Sequence, residues 1–233
     1  MILFVIVGMV CAETGWSQDT PRRLPSSEAF RTAFLHALRR QDGATMTALV
    51  AQHRDMVRET VDTLLKSYIE LSVESDAPES QHHLSAAQTL ADLYSRVSQD
   101  SFLLKKVHTY SGWSRPDKAL KYDADTLSHE ADMALARGDS AVTTAKAQEA
   151  ATHYAQLRDC HGQINALRML GHALRAAPVI SSEDHKSIRS YYEKAASSAQ
   201  WCEDRLSEGR ALIDLGDAYE RQKNWEKAIE HYD

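Results

Sequence analysis

Histidine and cysteine can announce chemistry through spacing alone, and this chain holds eleven of the first and three of the second. His129-Glu130 opens like the zinc-protease helix His-Glu-x-x-His, but Met133 stands where the second ligand belongs. His82-His83 offers two imidazoles, yet neighbours in sequence point apart, and no carboxylate or Cys stands at ligand spacing. Cys160-His161 has the composition of a thiol–imidazole pair, but adjacent residues on a helix diverge by about 100°. No Gly-x-x-x-x-Gly-Lys loop and no Gly-x-Ser-x-Gly elbow occurs. The expectation is that residues 1–233 are not an enzyme and carry no metal or cofactor.

Cys11 lies in "MILFVIVGMVCA", apolar from Ile2 to Ala12. That run is too short to span a bilayer as a helix and suits the centre of a secretory signal. Val10 and Ala12 are small residues two apart, so the expected signal is residues 1–17, cut after Ala12 or Ser17. No Lys or Arg precedes it, and an ordinary buried or membrane-lying segment is the plainer alternative. A lipid anchor on Cys11 is not expected, because Val10 is larger than such sites tolerate. Residues 18–26 then form a polar linker, and the chain is expected to be periplasmic or secreted, or cytoplasmic if the apolar run is no signal. Cys160 and Cys202 remain, about one structural repeat apart. A disulfide in an oxidising compartment is one reading; two small buried residues that merely pack is the expected one.

Candidate positions need elements to hold them, and the composition asks for helices. Nine Gly and five Pro are few in 233 residues, while Ala, Leu, Glu, Gln, Arg and Lys abound. No run alternates like a half-buried strand. The net charge of −6 is spread along the chain, and no basic patch with interleaved aromatics points to nucleic acid. Phe30, Phe34 and Leu38 recur every four residues after Ser26 and Ser27, until "QDG" breaks the pattern. A short helix follows around Met46, Leu49 and Val50. A longer one carries Val57, Val61, Leu64, Leu65, Tyr68 and Leu71. The polar stretch 72–83 reads as a loop and boundary, which closes an N-terminal helical module over 27–75.

From residue 84 a period appears. Leu212-x-x-Leu215-Gly216-x-x-Tyr219 is followed by Ala228-x-x-x-Tyr232. Related patterns stand at Leu167-x-x-Leu170-Gly171-x-x-Leu174, Leu127-x-x-Glu130-Ala131-x-x-Ala134 and Ala87-x-x-Leu90-Ala91-x-x-Tyr94. A small residue recurs at 91, 131, 171 and 216, where a second helix can pack close. Gly in a helix interior costs roughly 1 kcal/mol relative to Ala, so packing must compensate there.

These residues resemble the tetratricopeptide repeat family over residues 84–233, in units of about 84–123, 124–163, 164–208 and 209–233. The units exceed the usual 34 residues, the third through a long turn, "RAAPVISSEDHKS". The resemblance implies an all-α, right-handed superhelical solenoid of antiparallel helix pairs that binds a peptide or protein in its groove. Carried over, the groove positions are Asn165, Arg168, His172 and Arg175 in unit three, Asp125, Ser128 and Asp132 in unit two, and Arg210 and Asp217 in unit four. The Asn165–Arg175 face holds three cationic groups suited to a carboxylate or extended peptide. The alternative is a solvated face whose charges pair with neighbouring helices.

The last unit breaks off inside its second helix, and the family's later Ala and Pro positions are missing. The expectation is that native sequence continues past residue 233. Trp225, Ala228, Ile229 and Tyr232 would then form an uncovered apolar face, open to self-association through Trp225, Ile229 and Tyr232. The N-terminal module followed by irregular repeats also resembles the front of bacterial repeat proteins, many with a caspase-like protease domain (CHAT) at the C-terminal end. That resemblance implies a regulatory arm whose catalytic Cys and His lie beyond Asp233. A protein-interaction scaffold is the leading reading, with the regulatory arm and a structural self-assembly element as alternatives.

Overall fold

A computed structural model describes residues 23–74, 78–176 and 180–232. The chain is all-helical among these residues. Its helices are α1 (Ser27–Arg39), α2 (Gly43–Gln52), α3 (Arg54–Glu74), α4 (Pro78–Ser98), α5 (Phe102–Ser111), α6 (Arg115–Ala136), α7 (Ser140–Leu157), α8 (Cys160–Arg175), α9 (Ser182–Trp201), α10 (Arg205–Arg221) and α11 (Trp225–Tyr232). No described helix is long and apolar enough to cross a membrane. The expected signal, residues 1–17, and residues 18–22 of the linker lie outside the described residues.

One turn design joins many of these helices. Gln41, Gly138, Arg158, Glu203 and Lys223 each adopt positive φ. The next residue in each case is Asp or Asn, at 42, 139, 159, 204 and 224. Its N–H donates to the carbonyl five residues back, at 2.9–3.1 Å. Its side chain then accepts the amide three residues on: Thr45, Val142, Gly162, Ser207 and Lys227. One residue thus finishes the outgoing helix with a left-handed cap and the following one starts the next helix. Connections of two or three residues make neighbouring helices antiparallel.

Consecutive helices from α6 to α11 pack on one another, with further contacts between α6 and α8 and between α8 and α10. Their apolar contacts are small and serial: Ala131, Ala147, Met169 and Leu170 form one set, and Ile188, Tyr192, Leu215 and Ala218 another. Such nearest-neighbour burial is how stacked repeats are stabilised. The recurring small residues share this role. A Cβ on Gly171 would lie 2.4 Å from the Tyr192 ring, and one on Gly216 would lie 2.4 Å from the Tyr232 ring. Ala131 and Ala147 meet in one cluster, with the same 16-residue separation as Gly216 and Tyr232. Ala91 is fully buried in the N-terminal core.

Two expectations change here. Ser72–Glu74 and Pro78–His83 are helical, so little of 72–83 is loop. Pro78 stands at the first position of α4, where its missing N–H costs nothing. Glu74, Glu79, Gln81 and His82 ride the outer face, while Ser72, Ser80 and Leu84 turn inward. The turn after α8 is also shorter than expected: a reciprocal Ser181–Asp184 capping box starts α9 at Ser182.

The core of α1–α5 is one cluster running from Phe30 to Tyr110. It joins the later helices through α3 and α6, where the Lys118 ammonium sits 4.6 Å above the Tyr68 ring. It also meets the far α9–α10 turn, whose Cys202 packs against it. The helices therefore bend into an arc that brings residue 202 back to α3 and α5.

Candidate functional site

The arc closes on buried charge. Asp204 is both the cap of α10 and the acceptor for Arg58 of α3. Its Oδ1 takes the Ser207 amide and Arg58 Nη2 (2.6 Å), and its Oδ2 takes Arg58 Nη1 (3.0 Å) and the Ser207 hydroxyl (2.7 Å). Asp159, the cap of α8, works the same way. Its Oδ1 accepts the Gly162 amide, and its Oδ2 accepts the Tyr110 hydroxyl and faces Lys121 Nζ, both at 3.0 Å. Lys121 also bonds Asp125, which receives the Tyr154 hydroxyl at 2.8 Å. Lys106 Nζ meets Asp62 at 2.8 Å. His161 stands between carboxylates, with Nδ1 3.5 Å from Asp204 and Nε2 3.9 Å from Asp62.

These pairings set the protonation states. Burial alone would raise the Asp159 carboxyl, but Lys121, then Lys106, hold it at about 2. Burial raises the Asp204 carboxyl, but the nearby His161 imidazole and the bonds from Arg58 and Ser207 hold it well below the ordinary range. Desolvation opposes the Lys121 ammonium, yet Asp159 and Asp125 raise it overall. His161 is lowered by the Lys106 charge and by burial, against Asp204 and Asp62. Truncating one member would leave a buried charge unmatched, which typically costs about 3–5 kcal/mol.

Beside this network lies a cavity of about 530 Å³. Tyr110 and Trp113 of the α5 end form one wall, their rings stacked 4.1 Å apart. Arg158 and Trp201 border it on the other side. Trp201 is 82 % exposed, and Arg158 is exposed and joins none of the described ion pairs. Lys105 and Glu203 pair across the cavity at 2.6 Å. Cys160 and Cys202 also line the cavity, and they form a disulfide with Cα atoms 6.4 Å apart. The expectation that they merely pack is therefore corrected: the arc brings the first residue of α8 beside the last turn of α9. Aromatic walls and an uncommitted guanidinium suit a ligand that combines an apolar or aromatic group with a carboxylate.

Of the residues expected in the groove, Asn165, Arg168, His172 and Arg175 share one face of α8, and α10 takes up the last three. Arg168 Nε donates to Asp214 at 2.6 Å, His172 Nε2 stands 3.6 Å from the same carboxylate, and Arg175 meets Asp217 at 3.3 Å. The Tyr192 hydroxyl lies 3.0 Å from His172 Nδ1, whose protonation burial disfavours. Asn165 Nδ2 is 3.2 Å from His161 Nε2. Asp125 is taken up by Lys121 and Tyr154, and the Ser128 hydroxyl bonds the same Tyr154 hydroxyl. Asp132 is exposed, its carboxyl raised by partial burial, and Arg210 is exposed without a described ion pair. Arg168, His172 and Arg175 thus face carboxylates of the neighbouring helix.

Sequence reasoning passed over Lys105, Arg158, Trp113 and Trp201. The turn dipeptides Arg158-Asp159 and Glu203-Asp204 were a usable signal, since Asp after a left-handed residue marks a chain reversal. Among the described residues no group of three or more His, Cys, Asp or Glu is arranged to hold a metal. No known protein-family model matches the chain, and no curated protein matches it.

Proposed function

We propose that this chain is a protein-interaction scaffold: a tetratricopeptide-like stack, preceded by a helical module, that holds a peptide or protein at the cavity mouth. The observation that carries this reading is Trp201, an indole left almost wholly in water beside a cavity with aromatic walls. Exposed Trp is costly for a free surface and is enriched where partners bind. Arg158 supplies a charge-assisted donor for a carboxylate, while Trp113 and Trp201 flank an apolar or aromatic side chain. Arg168 and Arg175 serve as helix-to-helix ties in this reading rather than as partner contacts. The disulfide supports the expectation of a periplasmic or secreted setting.

The test is selection from a random peptide display library, followed by fluorescence polarisation. Selected peptides should carry a carboxylate beside an aromatic residue, and Trp201→Ala and Arg158→Glu should each weaken binding about tenfold or more. Peptides that bind Trp201→Ala as tightly, or a library that yields none, would overturn the assignment.

A second reading, self-association, is favoured by the far end of the stack. Ile213 is 54 % exposed and Ile229 is 60 % exposed, with Leu206 and Trp225 also open on α10 and α11. Tyr232 is also exposed here, although its ring lies on Gly216 and its hydroxyl donates to Asp217. Sedimentation velocity should show concentration-dependent association that Ile213→Glu/Ile229→Glu abolishes. A monomer at all concentrations would exclude this reading.

A further inference from the structure

We infer that the Cys160–Cys202 bond is an exchange site for a small-molecule thiol entering the α5–α8–α9 cavity. Both cysteines are partly exposed and line that cavity, so a reagent can reach the sulfurs without the stack unfolding. About 530 Å³ lies within the range of small-ligand sites.

The two sulfurs are not equivalent. Cys160 is the first residue of α8, and Cys202 follows the last residue of α9 as its cap. A helix N-terminus stabilises a thiolate and a C-terminus disfavours one. Arg158 lines the same cavity and adds positive charge, while Lys106 is matched by Asp62. Of the nearby acids, Asp159 is matched by Lys121, and Glu203 by Lys105. Cys160 is therefore the better leaving group, and Cys202 is the sulfur attacked.

The exchange balances with two thiols. The thiolate of the first attacks Cys202 Sγ, the Cys160–Cys202 bond breaks, and its electron pair departs on Cys160 Sγ. The thiolate of the second attacks the reagent's sulfur in the mixed disulfide, which forms the reagent disulfide and releases Cys202. Two electrons pass from the reagent to the protein, and the two reagent protons end on Cys160 and Cys202. The bond also sits where the arc closes: Glu203 and Asp204, which hold Lys105 and Arg58, follow Cys202 directly.

The test treats the folded protein, residues 1–233, with increasing reduced glutathione, followed by acid quench, alkylation and peptide mapping that resolves Cys11. The expected result is a rate of bond loss proportional to glutathione, with the transient adduct on Cys202 and the alkylating tag on Cys160. A rate that levels off at the rate of global unfolding, or an adduct carried by Cys160, would overturn the inference. No substituted variant is needed, so misfolding cannot obscure the answer.

Discussion

Asp159 shows how much one residue carries in this molecule. It caps α8, accepts the Tyr110 hydroxyl and neutralises Lys121. Its carboxyl titrates at about 2 in the fold against an ordinary 3.8. A depressed carboxyl stabilises the fold fully above its unfolded value and loses that contribution as pH falls through the folded one. About 2 kcal/mol should therefore drain away between roughly pH 4 and pH 2, visible as an acid limb in urea midpoints. Asp159→Ala should shrink that limb, leaving the part carried by Asp204 and Asp62, and cost about 3–5 kcal/mol, because Lys121 keeps only Asp125. His161 acts in the same direction at higher pH. The fold resists its protonation, so stability should already fall as pH drops below about 6.5. The sequence did show Cys160 and His161 as neighbours on a helix, where adjacent side chains diverge. It could not reveal their true neighbours, because Arg58 and Asp204 lie 146 residues apart.

At the scale of elements, the helical class was legible from composition and from the four-residue spacing of Phe30, Phe34 and Leu38. The small residues at 171 and 216 were legible too, and the structure gives them one shared reason: a tyrosine ring from the paired helix. Gly171→Ala should push against the fully buried Tyr192 and cost about 1–3 kcal/mol in chemical denaturation. Gly209 in α10 is the control, since a Cβ there meets nothing within 4 Å. Gly209→Ala should stabilise by about 0.5–1 kcal/mol through helix propensity alone. Helix starts were harder to read. Pro78 looked like a loop residue because proline breaks helix interiors, yet it opens α4. The Ser181–Asp184 box was hidden in a polar stretch that resembled a long turn. The Cys160–Cys202 bond ties α8 to the end of α9 across 42 residues. Replacing both cysteines with Ser should cost about 2–4 kcal/mol in reversible unfolding.

For the whole molecule, periodicity indicated neighbours in the stack but not its curvature. Each repeat contact is local, so nothing in the pattern said that the α9–α10 turn would reach α3 and α5. That closure creates the cavity, sets Trp201 at its mouth and brings Lys105 to Glu203. It also explains why Cys202 packs on a core built from residues 30–110. If the arc were open, these groups would lie in water and the buried Asp204 would have lost its guanidinium. A double-mutant cycle of Arg58→Met and Asp204→Asn, measured by urea denaturation, tests this most directly. The closed arc predicts a coupling energy of about 1.5–3 kcal/mol between two residues so far apart in sequence. Effects that simply add, to within about 0.5 kcal/mol, would contradict it.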